Sequence, residues 1–184
     1  MRDAWAVASY RTAQDQRLAA FEELLPRAAA LSAKHPQRAE ALIWDGIVLS
    51  SYAGVRGGLG ALGPANEAKA RFEAALALDE NALGGAAHTS LGTLYHRVPG
   101  FPIGFGSDAK ARVHLERALE ISPNGIDPNY FYGEFLFDEG EYAEALEHLE
   151  RALRAPPRPG REVADEGRRG QIQLLIAKTR EAMI

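Results

Sequence analysis

Apolar residues recur along this chain every three to four positions, the period of one face of an α-helix, and no segment alternates as a half-buried strand would. "LLPRAAALSAKHP", "AKARFEAALALDE", "AKARVHLERALEISP" and "YAEALEHLERALRAPP" are variations on one design. Each carries a small Ala, an apolar residue about four later, then Ala-Leu, then an acidic or proline stop. Alanine permits close approach of helices, the larger side chain fills the groove, and the terminal residue ends the helix.

A second set, "LIWDGIVLSSY", "HTSLGTLYHRV" and "NYFYGEFLFDE", places Gly46, Gly92 and Gly133 mid-helix, with Leu49, Tyr95 and Leu136 three residues later. A mid-helix glycine costs about 1 kcal/mol against alanine. Three in the same register imply close contact between paired antiparallel helices at those points. The chain is therefore expected to be all-α.

Paired helices in register resemble the tetratricopeptide repeat (TPR), a helix–turn–helix unit of about 34 residues. The best copy runs from Ile126 to Pro159, with Gly133, Leu136, Gly140, Tyr142, Ala145, Leu149, Ala152 and Pro157 at the family's spacing. The resemblance implies a right-handed superhelix of antiparallel helix pairs forming a single domain over 1–184. It is divided into a degenerate first unit (1–38), units at 39–84, 85–125 and 126–159, and a capping helix (160–184).

Gly133 and Ala145 are 12 residues apart, but Gly92 and Ala111 are 19 apart and Gly46 and Ala68 are 22. Both excesses fall in the turn inside a unit, so "AGVRGGLGALG" and "RVPGFPIGFG" are expected as long loops side by side on one edge. Inserted residues in repeat proteins collect on one face, often the binding face. The second loop carries Phe101, Ile103 and Phe105 between rigid prolines and permissive glycines. Two readings stand for it: a self-packed cover over the helix ends, or a binding lip.

That loop, with Val98 to Gly106 and Asp108, and then Pro123 to Asp127 and Asn129 to Phe131, resembles the T-component family associated with TRAP transporters. The resemblance implies a non-enzymatic helical repeat that acts with periplasmic substrate-binding proteins in solute uptake. It also implies a periplasmic location, although the chain has no cysteine for a lipid anchor. "MRDAWAVASYRTAQDQ" lacks the features of a signal peptide, which leaves the cytoplasm open.

In the TPR pattern, the first helix of each unit lines a concave groove. Its positions here are Ile43, Ile47 and Ser50; Thr89, Thr93, His96 and Arg97; and Asp127, Tyr130, Glu134 and Phe137. The candidate binding residues are thus Phe101, Ile103 and Phe105 on the loop and His96, Arg97, Tyr130, Glu134 and Phe137 in the groove. They suit a protein or peptide partner, or a small hydrophobic or amphipathic ligand. Phe131, Tyr132, Phe135 and Trp44 are assigned to packing.

Composition narrows the function further. Of 184 residues, 46% are hydrophobic and 25% charged, with a net charge of −4, which offers no broad nucleic-acid surface. The absence of cysteine removes thiol catalysis and cysteine metal sites. The five histidines lack the three- or four-residue pairing of helix-borne metal ligands. "GLGALG" (58–63) spells a dinucleotide fingerprint, but no strand precedes it. No nucleophile–base arrangement is visible, so the expectation is a non-enzyme without cofactor or metal.

Eight acidic residues and no Lys or Arg lie between Ile126 and Glu150; then come Arg151, Arg154, Arg158, Arg161, Arg168 and Arg169. Solvated faces with helix-dipole complementarity account for this split, or else two patches of opposite charge face a partner.

Overall fold

In the computed structural model, which describes residues 1–184, the periodic segments become nine α-helices with no strand. They are α1 (Arg2–Tyr10), α2 (Arg17–Lys34), α3 (Ala39–Arg56), α4 (Leu62–Leu78), α5 (Ala86–Arg97), α6 (Asp108–Ile121), α7 (Ile126–Asp138), α8 (Tyr142–Arg154) and α9 (Glu162–Ala182). The closest neighbours are consecutive: α3 on α4, α5 on α6, α7 on α8, and α2 on α3. This is a TPR-like helical repeat.

The mid-helix glycines do what their register implied. A methyl group on Gly46 would lie 2.6 Å from the Phe72 ring, one on Gly92 2.6 Å from Leu115, and one on Gly133 2.9 Å from Leu149. Phe72, Leu115 and Leu149 are almost entirely buried. Each pair is thus a knob of the second helix seated over a bare stretch of the first.

Curvature follows from which helices touch. α3 meets α5 and α5 meets α7, whereas α4, α6 and α8 do not approach one another. The first helices of the pairs therefore crowd on the inner, concave side while their partners splay outward. One apolar core runs through α3 to α8, a second joins α7 and α8 to α9, and a third joins α1 and α2 to α3.

Turn chemistry sets the ends. The α7–α8 connection closes through Gly140 at φ +80°, with Gly140 N–H donating to Phe137 O (3.1 Å) and Glu141 N–H to Leu136 O (2.8 Å). These bonds satisfy two of the last carbonyls of α7, as a Schellman turn does.

One expectation is corrected here. The stretch 53–63 is not a long loop: Ala53 to Arg56 extend α3, Leu59–Ala61 form a 3₁₀ turn, and α4 starts at Leu62. Ala, Val, Leu and Arg are good or tolerable helix formers, so the extra residues lengthen both helices. Only Gly57 and Gly58, at φ +64° and +58°, break the path.

Candidate functional site

The insertion from Val98 to Ser107 remains a true loop, and its backbone is tied down at both ends. Gly106 N–H donates to Pro99 O (3.0 Å), Ile103 N–H to Gly100 O (3.1 Å), and Ser107 N–H to Tyr95 O (2.8 Å). Gly106 has no room for any side chain, since a Cβ there would sit 1.8 Å from Val98 O. The loop leans on the start of α4, with Gly104 close to Leu62.

Its three large apolar residues divide into two roles. Phe105 turns inward, edge-on to Tyr95 with ring centroids 5.6 Å apart, beneath the Lys69 ammonium. Phe101 and Ile103 point outward, 94% and 58% exposed. Leu59, on the neighbouring α3–α4 turn, is 78% exposed. The loop thus covers the helix ends with one residue and presents two others to solvent.

His96 and Arg97, at the end of α5, act as ties between helices. His96 bridges Asp108 (3.0 Å) and Asp138 (2.9 Å) with its two ring nitrogens and stands edge-on to Phe135. Burial opposes its charge, but the hydrogen bonds to Asp108 and Asp138 outweigh that and raise its pKa. Arg97 pairs with Glu134, which also accepts from the Tyr130 hydroxyl (2.9 Å). Phe137 is half-buried against Tyr142.

Tyr130 sits at a groove position but is only 5% exposed, because the chain's own Arg168 lies across it, 4.4 Å from its ring centroid. Burial, followed by Glu134, pushes its hydroxyl pKa up. Ile43 is fully buried in the main core and takes no part in the groove surface. The side of α3 that meets α1 carries Trp44, itself nearly buried as its packing role implied, and Ser51.

That inner side is occupied by the two ends of the chain. α1 packs on α3 through Trp5, whose indole N–H donates to Ser51 Oγ (2.9 Å) and whose ring meets Trp44 at 6.0 Å. α9 packs on α7 and α8, and α1 also meets α9. At this junction Tyr10 reaches Gln171, and Gly167 leaves space for the Tyr10 ring. The terminal segment is accordingly more than a solvating cap, because it reaches back to the first helix.

A polar network fastens this closure. Asp127 at the start of α7 accepts from Arg158 (2.7 Å) and Arg168 (2.9 Å). Arg158 also forks onto Asp165 (2.8 and 2.6 Å). Desolvation would raise the Asp127 pKa, but the Arg168 and Arg158 charges more than offset it and hold the carboxyl down at about 2. Arg169 donates to carbonyls at the end of α8, Leu153 O within the last turn and Ala155 O just beyond it. Much of the charge split seen along the sequence is thus neutralised within the molecule.

Two further histidines come together from 26 residues apart. His88 on α5 and His114 on α6 share a hydrogen bond between their Nδ1 atoms (2.9 Å), and His88 Nε2 faces Glu80 at 3.4 Å. Burial lowers both pKa values, and His114 is further lowered by His88. No group of three His, Asp or Glu side chains is placed to hold a metal ion, and no helix is long and apolar enough to cross a membrane.

Sequence reasoning missed Trp5, Tyr10 and Arg161 as inner-face residues. The signal available was two aromatic residues in a segment outside the repeat pattern.

The fold defines a class, the stacked helix-pair repeat. Residues 108–165, from α6 into the first turn of α9, match the family model described as tetratricopeptide repeat. The match supports a TPR protein, whose repeats generally mediate protein–protein interaction and form non-catalytic scaffolds. Among curated proteins, none matches the chain.

Proposed function

We propose that this chain is a non-catalytic docking module whose partner-binding element is the edge bearing Leu59, Phe101 and Ile103. The observation that carries the reading is Phe101, an aromatic side chain 94% exposed on a loop whose backbone is hydrogen-bonded into one shape. A large apolar group presented on a pre-organised loop is the anatomy of an interface anchor, because little ordering entropy opposes its insertion into a pocket. The concave groove is the weaker candidate, since α1 and α9 lie against its α3 and α7 walls.

The loop's resemblance to the T-component family supplies the partner to try: a periplasmic substrate-binding protein in bacterial solute uptake, which would place this chain in the periplasm. The test is a binding titration of the intact protein against purified substrate-binding proteins from the same organism. Phe101→Ser/Ile103→Ser is expected to weaken binding at least about tenfold while leaving melting temperature unchanged. Equal affinity for the double variant contradicts the reading.

A further inference from the structure

The closure network leaves one cation over. Arg158, Arg161 and Arg168 gather where the α8–α9 segment meets α3 and α7, facing two carboxylates, Asp127 and Asp165. Arg158 and Arg168 take both carboxylates between them. Arg2, near the same place, pairs with the adjacent Asp3.

Arg161 makes no side-chain hydrogen bond or ion pair. Its Nε is the one buried side-chain nitrogen or oxygen in the protein without a partner. A guanidinium offers five donors in a rigid fork, and a buried donor left unpaired has lost its hydration without a replacement partner. Burial, with Arg158 and Arg2 close by, also lowers the Arg161 pKa against the pull of Asp127 and Asp165.

The surroundings say what would satisfy it. The guanidinium carbon stands 5.7 Å from the centre of the Trp44 ring, and Trp44 in turn meets Trp5. One cation in excess calls for one negative charge, and Asp127 and Asp165 nearby disfavour a second. A fork-shaped donor suits the two oxygens of a carboxylate. The small exposed margin of the Trp44 indole beside it, 9% of the residue, suits a slim apolar chain attached to that carboxylate.

We propose that Arg161 and Trp44 form a binding site for a small monocarboxylate with an apolar tail, on the inner side between α3 and the start of α9. This site is separate from the loop edge, and its failure would leave the docking reading untouched.

Both tryptophans of the chain lie at the site, so intrinsic fluorescence reports on it directly. The intact protein is titrated at constant ionic strength with hexanoate, acetate and inorganic phosphate. A saturable change is expected with hexanoate, weaker binding with acetate, and none with phosphate over the same range. Arg161→Gln should weaken hexanoate binding at least tenfold, while Arg154→Gln, an exposed arginine on the same stretch, should leave it unchanged. Without ligand, Arg161→Gln should melt at or above the temperature of the parent protein, because it removes an unpaired charge. Absence of saturation with hexanoate overturns the proposal, as does equal response to phosphate or an equal loss in both variants. A melting temperature lowered by several degrees in Arg161→Gln also overturns it, by making Arg161 a structural prop on Trp44.

Discussion

The seams within the helix pairs and the seam that joins the two ends of the chain are held by different physics. Inside each pair, a bare glycine on one helix meets Phe72, Leu115 or Leu149 on the other, and the contact is dry and repeated. Where α1 and α9 close the inner side, the contact is made by Arg158 and Arg168 on Asp127 and by Trp5 on Trp44, and nothing in it repeats. Apolar seams build the solenoid and set its curvature. The polar seam joins the two ends of the chain across the inner side.

Breaking the apolar side should have the largest effect. Gly92→Ala places a methyl group against Leu115 and 3.1 Å from the Ala111 carbonyl, and the backbone cannot yield as a flexible side chain could. A loss of about 2–3 kcal/mol in denaturant unfolding is expected, despite alanine's better helix propensity. Stability unchanged or improved would mean that the pair is looser than its geometry.

Breaking the polar side comes next. Asp127→Asn leaves Arg158 and Arg168 with an uncharged partner and should cost about 2 kcal/mol, less than full burial would imply because the site is partly open to water. The same carboxylate carries an acid signature. Its folded pKa is about 2, below the ordinary aspartate value of about 3.9, so its contribution is complete above pH 4 and fades as pH falls towards 2. Stability measured across that interval should fall more steeply in the parent protein than in Asp127→Asn.

The histidines sharpen the contrast at neutral pH, with opposite signs. His88 and His114 have lowered pKa values, so protonating them below about pH 6.5 destabilises the fold. His96 has a raised value, so its contribution is present below about pH 6.5 and is lost as pH rises through its folded pKa. Below about pH 6.5, His114→Asn should therefore flatten the rise of stability with pH, and above about pH 6.5 His96→Asn should remove a fall of stability with pH. The smallest effect on stability belongs to Phe101→Ser, within about 0.5 kcal/mol, since the ring touches little.

This division also explains what could be read from the residues alone. Gly46, Gly92 and Gly133 recur in one register with matching apolar partners, so their contacts were legible before any coordinates. Trp5, Tyr10, Arg161 and Arg168 lie off the recurring Gly, Ala and Leu positions, and their partners are set by how far the superhelix turns before the ends meet. His88 and His114 are 26 residues apart and become neighbours through helix pairing. The loop at 98–107 was recognisable from its Pro, Gly and Phe content, but which of its apolar residues face outward depends on the anchor that Tyr95 provides for Phe105. The stretch 53–63 misled because its excess residues are compatible with helix.

The most direct test of the docking account uses the absence of cysteine. A single cysteine placed at Phe101, or separately at Thr93 on the groove side of α5, can carry a photo-crosslinker in otherwise intact protein. With a substrate-binding protein as partner, crosslinking from position 101 and not from position 93 is the expected result. Crosslinking from position 93, with none from 101, would return the binding site to the concave groove and contradict the account.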